Sequence, residues 1–172
     1  MLFGKIDYLN LLPFHVFLKR SRLQNATKKA IEFKKDVPSK LCRSLFYGKV
    51  DAAVISSIES RIKKYKKISM GVVAKDRVIS VLVRKNSARK LDPASMSSNM
   101  LSLILNLKGE VIIGDRALKC YLNEGRDKFY DLGEIWHKKY NLPFVFAKFC
   151  CIKNGDFYTG LVKKFLKQKV KI

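Results

Sequence analysis

Apolar residues recur along this chain with two spacings that take turns, one suited to strands and one to helices. Leu2–Tyr8 reads as a strand with Leu2, Ile6 and Tyr8 on one face. It leads through Leu9-Asn10-Leu11-Leu12 to Pro13, which suits the first turn of a helix carrying Phe14, Phe17 and Leu18. Ala30–Phe33 reads as a short strand. Pro38–Tyr47 reads as a helix with Leu41 and Leu45 inward, closed by Gly48. Asp51–Ile55 is a buried strand, after which Ser56 and Glu59, three residues apart, form a capping box that starts a helix. Ile68–Ala74 and Val78–Arg84 are strands rich in β-branched residues.

A polar connector, Asn86–Pro93, precedes Ser95-Met96-Ser97-Ser98 and a helix through Met100, Leu101, Ile104 and Leu105. Glu110–Ile113 is a strand, and Gly114-Asp115 opens a helix through Ala117, Leu118 and Tyr121. Tyr130-Asp131-Leu132-Gly133 leads to a short helix around Trp136, Leu142–Cys151 is a strand, and Asn154-Gly155 is a turn. The last helix carries Phe157, Leu161, Val162, Phe165 and Leu166 as an apolar stripe. This alternation predicts an α/β fold with parallel sheet segments. The extended runs 78–84 and 143–149 read as two crossover hinge strands. On that reading residues 1–84 with 149–172 form a first lobe, residues 85–148 an inserted second lobe, and a central cleft separates them.

Composition adds direction to this outline. With 172 residues, 48% of them hydrophobic, the chain can bury a core and is not a disordered segment. A net charge of +22 excludes an acidic partner-mimic and leaves nucleic acid, anionic lipid or a small anionic substrate as partners. The lysines are spread out. Two clusters stand out, Arg61, Lys63, Lys64, Lys66 and Lys67, and the tail with Lys163, Lys164, Lys167, Lys169 and Lys171. Each is either a phosphate footprint or the solvated face of a packed element, and the stripe under the tail favours the second. No helix-turn-helix, zinc-finger or RNA-stacking signature accompanies them, so no specific nucleic-acid partner is expected. Apolar runs such as Leu142–Ala147 are far short of the ~20 residues of a membrane span. Lys5 and Asp7 fall where a signal peptide would hold its apolar core, and a cytoplasmic protein is expected. Cys42 and Cys120 are isolated and Cys150-Cys151 adjacent; with two histidines and no Cys-x-x-Cys pair, neither structural disulfides nor a metal site is expected.

The candidate chemistry sits where strands hand over to helices. Asn10, Ser56, Ser97-Ser98 and Gly114-Asp115 all lie at such junctions, where unpaired N–H groups suit a carboxylate or phosphate. Each residue alone reads more readily as a helix cap than as a ligand contact; as a set they suit a small polyanion. Asp115 would repel an anion, so capping or a substrate hydroxyl fits it better. Ser80 is the polar residue of the apolar run 78–83, bonded to a neighbouring carbonyl or facing a ligand. His15 reads as a packing or solvent histidine rather than a base, and His137, beside Lys138 and Lys139, as exposed. There is no Gly-rich phosphate loop and no Gly-x-Ser-x-Gly elbow.

These residues carry a family resemblance. Tyr8-Leu9-Asn10-Leu11-Leu12-Pro13, Gly48-Lys-Val-Asp51-Ala-Ala-Val-Ile-Ser56 with Glu59, Ser80-Val-Leu-Val, Ser95-x-Ser97-Ser98, Ile113-Gly114-Asp115-x-Ala117-Leu118, Tyr130-Asp131-Leu132-Gly133-x-x-Trp136 and Leu142-Pro143-Phe144-Val145-Phe146-Ala147 resemble, in order, the chorismate dehydratases of the futalosine route to menaquinone. The resemblance covers residues 1–160. It implies a fold like the type 2 periplasmic binding proteins, used as a cytoplasmic hydro-lyase without cofactor or metal. It also implies conversion of chorismate to 3-[(1-carboxyvinyl)oxy]benzoate and water. On that resemblance Asn10 and Ser80 are the catalytic residues, and Ser56, Ser95, Ser97, Ser98, Gly114 and Asp115 bind substrate. The alternatives are a non-catalytic small-anion-binding protein of the same fold and the related 1,4-dihydroxy-6-naphthoate synthase. The family usually continues past the basic helix with further helices; ending at Ile172, this chain is expected to expose apolar surface on the first lobe, which favours either a homo-oligomer or lower stability.

Overall fold

Two sheets, each with its own core, organise residues 2–168, the part of the chain that the computed structural model describes (Phe33 by its backbone only). Lys169 and Lys171 of the basic tail lie outside the described residues. The elements run β1 (Phe3–Lys5), α1 (Leu12–Arg20), α2 (Asn25–Phe33), β2 (Lys34–Lys35), α3 (Pro38–Phe46), β3 (Ala52–Ser56), β4 (Lys66–Ala74), β5 (Val81–Arg84), α4 (Met96–Ile104), β6 (Glu110–Ile113), α5 (Gly114–Glu124), β7 (Phe129–Asp131), α6 (Leu132–Tyr140), β8 (Phe144–Cys151) and α7 (Gly155–Lys167). The chain divides into two compact units, one formed by residues up to 72 together with those from 147 on, the other by residues 73–146.

The first unit holds the sheet β2-β1-β3-β8-β4. β1 pairs in parallel with β2 and β3, while β8 runs antiparallel to β3 from Ala52↔Cys151 to Ser56↔Ala147. Its core is built on rings. Phe149 stacks on Phe3 with centroids 5.5 Å apart and takes Phe14 edge-on at 6.0 Å. Phe165 of α7 meets Phe14 at 5.1 Å. Offset and edge-on contacts of this kind suit the ring quadrupole and add to the area buried. Leu41 and Leu45 of α3 are fully buried, as their spacing predicts, and Gly48 beyond the helix takes φ +69°. On α7 the stripe is Phe157, Tyr158, Leu161, Val162 and Phe165, whereas Leu166 is exposed.

The second unit holds the sheet β6-β5-β7, with β5 antiparallel to both neighbours. Leu82, Ile112, Ala117 and Phe129 form its core. The expected parallel segments are found at β1–β2 and β1–β3, while β3–β8, β5–β6 and β5–β7 are antiparallel. The unit boundaries fall inside β4 and β8 rather than at 84/85 and 148/149. The run 78–84 is not a crossover strand, because β5 spends its hydrogen bonds on β6 and β7 of the second unit.

Two local expectations fail. Ala30–Phe33 is the last turn of α2, with Ile31 on its buried side; the extended backbone begins one residue later, where Lys34 and Lys35 pair with Gly4 and Lys5. Ser56 starts no helix: it is still in the β3–β8 ladder opposite Ala147. The residues after it form a single 3-10 turn, Glu59–Arg61, with no side-chain cap at its start, and Glu59 instead accepts a hydrogen bond from the Tyr65 hydroxyl at 3.2 Å.

Candidate functional site

In the second unit the register puts three chain reversals at one edge of the sheet. Val81 pairs with Ile113 and Leu82 with Asp131, so the start of β5 and the ends of β6 and β7 share that edge. Ser80, Gly114 and Asp131 lie there, and helices α5 and α6 begin there. The Gly114 N–H donates to the Ser80 carbonyl at 2.8 Å, with Gly114 itself at φ +62°. Ser80 is buried, and its own N–H donates back to the Val78 carbonyl at 2.6 Å. That bond closes a three-residue turn centred on Ile79, whose φ is +60°. A β-branched residue rarely adopts this conformation, and it costs on the order of 1–3 kcal/mol. Ser80 is therefore presented by a strained backbone and not by an ordinary strand.

The serines of the connector are tied to one another. Ser95 is the N-cap of α4 and accepts from the Ser98 N–H at 3.3 Å, while the Ser95 and Ser98 hydroxyls are 2.7 Å apart. Asn99 straps the preceding loop, accepting from the Asp92 N–H at 2.9 Å and donating to its carbonyl at 2.8 Å. Ser97 and Ser98 are almost fully buried. The capping reading thus holds for Ser95. Asp115 is half-buried in the first turn of α5, where a carboxylate complements the helix dipole.

In the first unit Asn10 lies in the 3-10 turn Leu9–Leu11 between β1 and α1, and is exposed. Ser56 ends β3 and is buried. Since β1 and β3 are parallel neighbours, both residues follow the carboxyl ends of adjacent strands. Beside the β1–α1 junction is a hollow of about 110 Å³ lined in part by Lys5, Asp7, Leu9, Leu12, His15 and Lys19. Lys5 is buried and bonded to Glu32 at 2.9 Å and Asp7 at 3.0 Å. Burial alone would lower its pKa; the two carboxylates outweigh that and hold it raised. His15 is buried, its Nε2 makes no hydrogen bond, and burial with the nearby Lys5 charge pushes its pKa down to about 4. It is a neutral packing histidine at neutral pH. His137, expected on the surface, is half-buried with Nδ1 enclosed.

The four cysteines are free thiols. Burial, then the neighbouring Cys151, pushes Cys150 up to about 12, which leaves it protonated and unreactive. Among the described residues, sequence reading passed over Asp131 as a site residue. Its signal was the Asp-Leu-Gly run followed by a helix: Asp131 caps α6 through the Gly133 and Glu134 N–H groups at 2.9 and 3.1 Å.

Two overlapping stretches, residues 1–105 and 93–166, match the family model for menaquinone biosynthesis. The chain is similar to the chorismate dehydratase of Campylobacter jejuni subsp. jejuni (serotype O:23/36, strain 81-176), 53% identical over 172 residues, all of this chain and 77% of that protein. Among solved structures it is similar to protein AF1704 from Archaeoglobus fulgidus, with a TM-score of 0.69 and 12% identity over 95% of this chain and 74% of that one. A weaker likeness, with a TM-score of 0.49 and 16% identity over 96% of this chain and 72% of that one, links it to the periplasmic aliphatic sulphonate binding protein SsuA from Escherichia coli. The AF1704 likeness shows a shared fold.

Proposed function

The chain belongs to the menaquinone biosynthesis family, and we propose that it acts as a chorismate dehydratase, turning chorismate into 3-[(1-carboxyvinyl)oxy]benzoate and water. The observation that carries this reading is identity of 53% to a chorismate dehydratase along the whole chain. The reaction removes one ring proton and the ring hydroxyl, and the ring becomes aromatic. That change is strongly downhill, so the catalyst has to orient a dicarboxylate, shelter developing charge and assist one proton transfer. We propose that this proceeds without a cofactor. The substrate's own side-chain carboxylate is the proposed base.

Asn10 is assigned to hydrogen-bonding around the ring and its leaving hydroxyl, with an amide that can both donate and accept. Its exposed place after β1 supports this. Ser80 is assigned to positioning the substrate and stabilising the carbanion-like intermediate, and its fixed, strained turn supports that. Ser56, Ser95, Ser97 and Ser98 are assigned to the substrate carboxylates. The Ser95 and Ser98 hydroxyls bond each other, which uses one of their two protons; the other is left for a carboxylate, and the backbone N–H groups and dipole of α4 add to it. Gly114 and Asp115, at the start of α5, are assigned to the ring and its hydroxyl. The proposal places the enzyme in the cytoplasm as a homo-oligomer without a nucleic-acid partner. No helix among the described residues is long and apolar enough to cross a membrane.

The test is incubation of the dialysed protein with chorismate in a chelating buffer. The expected result is loss of the diene absorbance and appearance of 3-[(1-carboxyvinyl)oxy]benzoate by mass. Unchanged chorismate would contradict the assignment, and turnover that needs an added metal would contradict cofactor independence.

A further inference from the structure

The turn that presents Ser80 is held by a residue about fifty positions later in the chain. Asp131 is buried, and its two carboxylate oxygens divide their partners. Oδ1 serves the start of α6, accepting from Gly133 and Glu134, and reaches the Val78 N–H at 3.1 Å. Oδ2 accepts from Val78 at 3.0 Å and from Ile79 at 2.7 Å. A helix cap needs one acceptor oxygen, and Oδ1 supplies it. The second oxygen is used by the two residues of the strained turn and by no part of the helix.

The neighbourhood is built for the same contact. A side chain at Gly133 would put its Cβ 2.5 Å from the Asp76 carbonyl oxygen and 3.1 Å from the Ala74 Cβ, so glycine at that position lets the loop lie against the first turn of α6. Arg77 adds an ion pair to Glu134 at 3.8 Å. The Asp-Leu-Gly run therefore does two jobs. It starts α6, and it fixes the backbone of residues 76–79 immediately before Ser80.

We propose that Asp131 is a positioning residue for the dehydration: its carboxylate holds Ile79 at positive φ and so sets where the Ser80 hydroxyl and carbonyl stand. This rests on the reading of Ser80 as a site residue. Ile79 would otherwise relax to an ordinary strand conformation, and the serine would swing with it.

Asp131→Asn separates the two jobs. Asparagine is as good an N-cap as aspartate, but its amide offers one acceptor oxygen and a donor where the carboxylate had two acceptors. The expected result is a kcat lower by about 10- to 100-fold with KM within about threefold, the scale of a misplaced reacting group. Hydrogen exchange at the Val78 and Ile79 amides should accelerate by about tenfold or more while α6 stays protected. Ile79→Gly, placed in the Asp131→Asn background, should recover about tenfold in kcat, since glycine takes positive φ without strain. Wild-type kcat in Asp131→Asn would overturn the proposal. So would a loss that Ile79→Gly does not recover, with exchange rising throughout α6, because that is the signature of a cap alone. Ser80→Ala keeps the two readings apart: if it turns over normally, the assignment of Ser80 fails, and if it is inactive while Asp131→Asn is normal, only the positioning role fails.

Discussion

The two units secure their candidate residues in different ways. In the second, Ser80 is buried, its N–H and carbonyl both bonded, on a strained turn held by the Gly114 N–H at the start of α5 and by Asp131 of β7. In the first, Asn10 is exposed on a turn without a side-chain cap, and stability comes from beneath it, from the Phe3, Phe14 and Phe149 rings and a buried lysine with two carboxylates. One unit fixes a side chain by hydrogen bonds to the backbone around it. The other fixes the strand and the helix that flank it and leaves the side chain free to follow a ligand.

Breaking the ring core should be the costliest change to that comparison. Phe149 is fully buried against Phe3, Phe14 and Tyr158, and Phe149→Ala should destabilise the chain by about 3–5 kcal/mol. Chemical denaturation followed by near-ultraviolet circular dichroism reads this directly; a loss below 1 kcal/mol would mean the rings do not carry the first unit.

The histidine beside that core gives a pH test. Its pKa is about 4 in the fold, against an ordinary 6.5, so the unfolded chain takes up its proton first as pH falls. The stability contributed by neutral His15 is complete above about pH 6.5 and is lost between there and pH 4, by about 3 kcal/mol at the lower end. Denaturation midpoints of wild type and His15→Gln, compared from pH 8 to 4, should converge as pH falls, and parallel curves would refute the buried neutral histidine.

The smallest expected effect concerns the connector. Ser95→Ala removes the α4 cap and should cost about 1 kcal/mol, a shift of a few degrees in melting temperature. A serine that is only a cap leaves KM for chorismate unchanged when removed, whereas the proposed carboxylate contact raises it, so the same variant sharpens the difference between the two readings.

Much of the architecture was legible because local chemistry agreed with tertiary packing. Pro13 and Pro38 mark helix starts, Gly48 a helix end, and Glu110–Ile113 a strand with the bounds the pattern predicts. What was not legible depends on partners far along the chain. Ser56 followed by Glu59 has the sequence of a capping box, but Ser56 is claimed by a strand that begins at Phe144. Ala30–Phe33 ends a helix because Ile31 packs inward, and so short a segment carries no period to tell the two states apart. Nothing around Ile79 announces positive φ; no glycine or asparagine stands there, and the carboxylate that stabilises the turn is 52 residues away. The roles of the candidate site residues come from family resemblance alone, and the device that holds Ser80 has no signal in the sequence.

The dehydration rate on saturating chorismate, measured side by side for the wild-type chain, Asn10→Ala and Ser80→Ala, bears most directly on the account. Both variants should melt close to the wild type and form the enolpyruvyl benzoate at least about 100-fold more slowly, the loss seen when one group aimed at developing charge is removed. Product formation at the wild-type rate in either folded variant would contradict it.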